Sequence, residues 1–147
     1  MSSTAPGRYL LEFPFTLVDD YEVRITLAGE QVQGSPIPEI QVVHSPVQAQ
    51  YSDLILPLGA DSITAGQVQE WHIQAKDLYQ NVVTGTNEQF SLEVVNGEET
   101  ISAQVAYSFG LYKAKFSATK ALDNWQTRVG LKQRGGLKAT YFETTDF

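Results

Sequence analysis

The stretch "EWHIQAKD", residues 70–77, alternates apolar and polar side chains. Trp71, Ile73 and Ala75 fall on one face of an extended chain, whereas the residues between them are polar. Successive side chains of a β-strand point to opposite faces, so this period of two predicts a strand with one buried face. A helix over residues 68–78 is the weaker interpretation, because the β-branched and aromatic side chains of this segment favour strands.

The same alternation recurs in "QFSLEVV" (residues 89–95), "YKAKF" (112–116) and "WQTRVGLK" (125–132). Segments rich in Asn, Asp and Gly, such as "VNGEE" and "SFG", separate the runs and are typical of chain reversals. Short strands divided by such turns at intervals of roughly 8 to 12 residues indicate an all-β, antiparallel β-sandwich. The expected core comprises Trp71, Ile73, Phe90, Leu92, Val94, Val105, Tyr112, Phe116, Trp125 and Val129.

Two segments of the chain predict an internal repeat rather than a chance match. "GRYLLEF" at residues 7–13 and "GLYKAKF" at residues 110–116 share the pattern Gly-x-Tyr-x-x-x-Phe. With one extra residue in the second copy, the following strands also align, over about 25 residues in all. The aligned pairs are Tyr21 with Trp125, Val23 with Thr127, Ile25 with Val129 and Leu27 with Leu131.

The repeat predicts two units. Residues 1–45 are expected to be the last three strands of one unit, and residues 46–147 a second unit of seven strands. Three strands do not enclose a sandwich core. The first piece is therefore expected to pack on something outside itself or on the second unit.

Composition excludes several classes of partner. The net charge is -7 and the ten Lys and Arg residues are scattered, so no basic face for nucleic acid is expected. Apolar runs are far shorter than the roughly 20 residues of a membrane-spanning helix, so direct membrane insertion is not expected. The chain has no cysteine, and none of its asparagines begins an Asn-x-Ser/Thr sequence, which favours a protein that is not secreted.

No pattern of catalytic or metal-binding residues stands out. His44 lies in the link between the units, and His72 lies on the polar face of a predicted strand. Asp19-Asp20 and Asp123-Asn124 occupy equivalent positions in the two units, where turn formation explains them better than calcium binding. We therefore expect no enzymatic activity and no cofactor.

Two longer segments resemble a known family. "AGEQVQGSPIPEIQVV" (residues 28–43) is similar to the end of a filamin-type immunoglobulin-like repeat, with its Gly-Ser-Pro turn before the last strand. "ITAGQVQEWHIQAKDLYQNVVTGTNEQFSLEVV" (residues 63–95) resembles the front half of such a repeat. Gln80 departs from the family by standing where glycine is usual, and the second unit has no Gly-Ser-Pro motif. The resemblance implies tandem immunoglobulin-like sandwiches whose neighbours are further repeats of a longer protein.

The resemblance also implies a site for protein partners. Filamin-type repeats bind partners in the groove between their third and fourth strands, here flanked by "QFSLEVV" and "TISAQVAY". An extended peptide would add a strand at this edge, where small or uncharged outward side chains leave room. The alternative is an unoccupied edge in a purely structural spacer. The residues expected to contact a partner are Ser91, Glu93, Ser102, Gln104 and Ala106.

The final segment, "GGLKATYFETTDF" at residues 135–147, has two interpretations. It forms the last strand of the second unit, or it resembles the opening of a protective-antigen-type carbohydrate-binding module. Two functions follow: a cytoskeletal or scaffold module that sets spacing and docks peptides, or part of a secreted or cell-surface adhesion protein that spaces a glycan-binding module. The absence of cysteines and of glycosylation sequences favours the cytoplasmic scaffold, whereas the final segment favours the extracellular protein.

Overall fold

The structure, a computed structural model, describes residues 2–5, 8–60, 62–85, 88–97, 99–121, 125–132 and 140–144. These residues form antiparallel β-strands with one short 3-10 helix. The all-β prediction is therefore confirmed, and residues 68–74 are extended rather than helical. Contacts along the chain divide it into two compact units, Met1–His44 and Ser45–Phe147.

Short strands make up the first unit. They are β1 (Ser2–Ala5), β2 (Arg8–Leu10), β3 (Asp19–Val23), β4 (Thr26–Leu27), β5 (Glu30–Gln31) and β6 (Ile37–Val42). They form three separate two-stranded ladders, β1 with β2, β3 with β6 and β4 with β5. Three strands were expected here, and the described residues hold six. The β3–β6 register shifts within β3, between Tyr21 and Val23, and the longer predicted strand is interrupted at residues 24–25 between β3 and β4.

Longer strands make up the second unit. A 3-10 turn at Ala49–Tyr51 precedes them. The strands are β7 (Asp53–Ile55), β8 (Val68–Gln74), β9 (Gln89–Asn96), β10 (Glu99–Ser102), β11 (Gln104–Ser108), β12 (Leu111–Ser117), β13 (Gln126–Lys132) and β14 (Thr140–Thr144).

These strands form two four-stranded antiparallel sheets. One sheet has the order β7-β8-β12-β11, and the other has the order β10-β9-β13-β14. Apolar residues face each other across neighbouring strands, as in the pairs Trp71 with Ala114 and Leu92 with Val129. The alternation read from the sequence thus places one apolar face on each sheet.

Seven strands were expected in this unit, and its described residues hold eight. The segment "TISAQVAY", residues 100–107, was expected to form one strand, but the chain divides at Ala103 into β10 in one sheet and β11 in the other. Ala103 still donates its backbone N–H to the Leu92 carbonyl, at 2.8 Å. Its neighbours Ile101 and Val105 both pack against the core, so the chain crosses between the sheets while keeping its apolar side chains inward.

Side chains from both sheets share one core. Trp71 lies 4.8 Å from Phe116 and 5.0 Å from Trp125, and Phe90 lies 4.7 Å from Tyr112, between ring centroids. Eight of the ten predicted core residues are buried, which confirms them, whereas Val105 and Trp125 are partly buried against the same cluster.

Candidate functional site

One edge of strand β9 has a partner strand over only part of its length among the described residues. This is the main feature of the second unit that its core does not explain. β9 pairs with β13 from Gln89 to Val95, but β10 covers the other edge of β9 only from Glu93 to Asn96. Among the described residues, no strand pairs with the β10 side of residues 89–92. An edge of this kind presents backbone groups to any extended chain that approaches.

The backbone direction of β9 shows which groups face that side. The Leu92 carbonyl accepts the Ala103 N–H and so points toward β10. Backbone groups of alternate residues in a strand point to the same side, so those of Phe90 also point there. Phe90 therefore supplies both a donor and an acceptor to the open edge.

A groove of about 490 Å³ lies beside this edge. Gln89 and Phe90 of β9 line one part of it, and Val105 and Tyr107 of β11 line another. Tyr112 completes the aromatic surface, since its ring centroid lies 4.7 Å from that of Phe90 and 5.1 Å from that of Tyr107. The groove thus contains three aromatic rings and lies between strands of the two different sheets.

The groove also has polar borders. The Tyr107 hydroxyl accepts a 2.8 Å hydrogen bond from the Gly85 backbone N–H, which joins β11 to the loop before β9. The hydrogen bond from Gly85 holds the Tyr107 ring in place. Glu88 and Lys132 line the groove as well and bring one charge of each sign.

The structure divides the five residues predicted to contact a partner. Ser102 and Glu93 lie opposite each other in the β9–β10 ladder, so that part of the predicted edge is already occupied. Gln104 and Ala106 are exposed on β11, opposite Lys115 and Lys113 of β12. They therefore lie in the other sheet.

Ser91 is the remaining predicted residue, and it lies half-buried opposite Gly130 on the open half of β9. Sequence reasoning missed Phe90, Val105 and Tyr107 as groove residues, because apolar alternation assigned Phe90 and Val105 to the core alone. The Asn96-Gly97 pair was an available signal, since such a turn favours a hairpin that pairs residues 99–102 with β9.

Asp77 was not singled out by the sequence, yet its carboxylate organises the loop after β8. Oδ1 accepts backbone N–H groups of Tyr79 and Asn81, both at 2.9 Å. Oδ2 accepts the Ser45 backbone N–H and the Asn81 side-chain amide, also at 2.9 Å. Burial raises the pKa of Asp77, but the hydrogen bonds from Asn81, Ser45 and Tyr79 outweigh it and lower the pKa to about 2. Its role is to hold the turn and the start of the unit.

A charged group lies on the outer face of the other sheet. Glu70 lies 3.1 Å from His72 Nε2 and 3.0 Å from Lys115 Nζ. The hydrogen bonds from His72 and Lys115 lower the pKa of Glu70. All three side chains are partly or largely exposed, as expected of a solvated sheet face.

The acidic pair of the first unit differs from expectation. Asp19 and Asp20 were expected in a turn, but they begin β3, opposite Val42 and Gln41. Asp20 donates its N–H to the Asp19 carboxylate, so the pair is part of a strand end. Residues 123–124, which align with them in sequence, lie outside the described residues.

Within the described ranges, no group of three or more His, Asp or Glu side chains is arranged to hold a metal ion.

The final segment is described only in part. Residues 140–144 form β14, which pairs with β13 over the register Thr127–Thr144 to Leu131–Thr140. Residues 135–139 and 145–147 lie outside the described residues.

Within the part of the chain that the structure covers, there is no helix with the length and apolarity needed to cross a membrane.

Comparison of the sequence with models of protein families gives no match, and comparison with curated proteins gives none either.

Proposed function

We propose that the chain is a non-catalytic spacer and peptide-docking module of a larger multi-repeat protein, built from filamin-type immunoglobulin-like repeats. The observation that carries the proposal is the open first half of the β9 edge beside a groove lined by aromatic, polar and charged side chains. An edge and a groove together offer backbone hydrogen bonds for affinity and side-chain contacts for specificity.

The arrangement of the second unit supports an immunoglobulin-like sandwich. Each sheet takes its central strands from distant parts of the chain, β8 with β12 and β9 with β13, and both contribute to one core. Immunoglobulin-like domains distribute their strands between two sheets in this way.

One departure from the family is also consistent with the proposal. Gln80, which stands where the family has glycine, has a φ of 70°. A positive φ favours glycine. The backbone thus keeps the conformation that a glycine at this position would adopt.

The mechanism is strand addition. A peptide lying along residues 89–92 would exchange hydrogen bonds with the outward-facing backbone groups of Phe90. Alternate side chains of the peptide would enter the groove and contact Val105 and Tyr107. The occupied second half of the edge limits pairing to a short segment, so side-chain contacts supply much of the affinity.

The test uses peptides selected from a phage-displayed library of random dodecapeptides on the full chain. A selected peptide is titrated calorimetrically against the wild type, Val105→Lys and Ala106→Lys. The two variants add the same charge one residue apart, in the groove and on the opposite face of β11. We expect Val105→Lys to weaken binding at least about tenfold, equivalent to roughly 1.4 kcal/mol, and Ala106→Lys to leave it within about twofold.

Tryptophan fluorescence melts show whether each variant is folded, since Trp71 and Trp125 both belong to the second unit. The Phe90 amide resonance should shift on binding. Peptides that bind a folded Val105→Lys protein as tightly as the wild type would rule out the groove and leave the spacer function alone.

A further inference from the structure

The first unit carries many apolar side chains but buries none of them. Among described residues 8–44 every side chain is exposed or only half-buried. Tyr9 and Leu27 are each 71% exposed, and Phe13 is 49% exposed. Stray apolar residues are normal on a surface, but a stretch as long as residues 8–44 without a buried side chain is not.

The predicted internal repeat allows the exposed fractions of these side chains to be compared with those of the residues aligned with them in the second unit. Tyr9, Phe13 and Leu27 align with Tyr112, Phe116 and Leu131. Those counterparts are 2%, 5% and 5% exposed in the second unit. The same sequence pattern is therefore buried in one unit and uncovered in the other.

In the second unit β8 and β9 adjoin these side chains, and Phe90 of β9 packs on Tyr112 of the other sheet, at 4.7 Å between ring centroids. Tyr112 pairs with Ile73 of β8, and Leu131 pairs with Phe90 of β9. Trp71 of β8 also packs on Phe116, at 4.8 Å between ring centroids. The first unit has no counterpart of β8 or β9 in its described residues.

The backbone of the first unit indicates where the missing strands belong. β1 pairs with β2 through Ala5 and Arg8, as β11 pairs with β12 through the aligned residues Ser108 and Leu111. β2 and β12 are thus each flanked by a hairpin partner on one side. β12 has β8 on its other side, whereas β2 has no strand there among the described residues. The two-stranded β3–β6 ladder likewise has no strand in the place that β9 takes beside β13.

We propose that the apolar face of the first unit is an interaction surface for a polypeptide segment of the same kind as residues 45–103, supplied from outside the 147 residues. Such a segment brings one strand to β2 and another to β3, with alternating apolar side chains that cover Tyr9, Phe13 and Leu27. The inference rests on the repeat relationship in the proposed function, but it does not depend on peptide docking at the groove.

The repeat offset makes a direct test available. Gly110 lies 103 positions after Gly7, so residue 104 is the equivalent of residue 1. A copy of residues 45–103 fused directly in front of residue 1 therefore continues into the natural chain in the register of the second unit. The added segment supplies the missing strands, and all 147 residues remain.

Hydrogen exchange of the fusion and of the natural chain is compared over residues 19–27 and 37–42. We expect exchange there to slow at least about tenfold in the fusion, because local opening becomes coupled to unfolding of a closed core. Binding of the dye ANS, which reports exposed apolar surface, should fall in parallel. Amides of residues 126–132 show in the same experiment that the second unit stays folded.

A matched pair of fusions provides the control. Replacing the copied Ile73 and Leu92 by Asp should abolish the gain in protection, because these positions point into the core. Replacing the copied His72 and Glu93 by Ser should preserve it, because these side chains lie on the outer faces. Unchanged exchange in the first unit of the unmodified fusion, with an intact second unit, would overturn the proposal.

A different occupant gives a different result. If a second copy of the chain covers this face, the natural chain sediments as a dimer at micromolar concentration, and Phe13→Ser restores the monomer. That result would also overturn the proposal. Peptide titration of the natural chain, which has one copy of β9, reports separately on the groove, so failure of either hypothesis is distinguishable from failure of the other.

Discussion

The two units carry the same alternating pattern but differ in what the pattern achieves. In the second unit, Phe116 lies in a core closed by two four-stranded sheets, whereas Phe13, which aligns with it in sequence, remains half exposed beside a two-stranded ladder. Alternation determines which face of a strand is apolar. Burial requires a second apolar face to pack against it, and two strands alone are marginally stable.

Each unit has an aromatic cluster, and the clusters show the same contrast. Phe13, Phe15 and Tyr21 contact one another at centroid distances of 5.2 and 4.6 Å, yet none of them is buried. Trp71 contacts Phe116 and Trp125 at similar distances and has no exposed surface. Ring contacts alone therefore do not distinguish a core from a surface cluster.

The largest effect expected from this comparison comes from truncating the two aligned phenylalanines, Phe116 and Phe13. Phe116→Ala should destabilise the second unit by about 3 to 5 kcal/mol, because it removes a buried ring and leaves a cavity. Phe13→Ala should change the same unfolding transition by less than about 0.5 kcal/mol, since its ring is partly in water already. Urea denaturation followed by tryptophan fluorescence measures both. Equal losses would contradict the distinction between a closed core and an uncovered face.

Asp77→Asn should have an intermediate effect, of about 2 to 3 kcal/mol, because an amide cannot accept hydrogen bonds on both of the atoms that now do so. Asp20→Asn, an exposed substitution in the first unit, should leave the second-unit transition unchanged.

The Asp77 carboxylate also predicts that the stability of the second unit depends on pH. Its folded pKa of about 2 lies below the ordinary value of 3.8, so its stabilisation is full above that value.

This contribution should therefore be lost as the pH falls from about 4 toward 2. Urea midpoints measured from pH 6 to pH 2 test it. The Asp77→Asn protein should lose less stability than the wild type over that interval. If the urea midpoints of the two proteins fall in parallel with pH, Asp77 is not the cause of the loss of stability in acid.

The smallest effect is expected from a substitution in the turn between β11 and β12. This substitution should raise the stability of the second unit alone and so sharpen the comparison. Phe109 and Gly110 both have positive φ, and Phe109 is fully exposed. Asn is preferred to Phe at the first position of such a turn. Phe109→Asn should therefore stabilise the second unit by roughly 0.5 to 1 kcal/mol. A lower melting temperature would mean that the Phe109 side chain makes a stabilising contact.

Much of the fold follows from local pattern. Alternation around Trp71, Leu92 and Val129 located three central strands and the faces they bury. The "SFG" segment located the turn at Phe109-Gly110, because its residue types indicated a reversal. These features depend on residues adjacent in sequence, and so one sequence is enough to predict them.

The sequence by itself determined the strand class, the apolar faces and most of the second-unit core. Only the tertiary structure decided that the chain changes sheets at Ala103, that β10 occupies half of the predicted docking edge, and that Phe90 and Val105 border the same groove. It also decided that Asp77 holds the loop and that described residues 8–44 bury no side chain. The physical reason is that alternation records which side of a strand avoids water, whereas strand partners and hydrogen-bond acceptors are chosen among residues far apart in the chain.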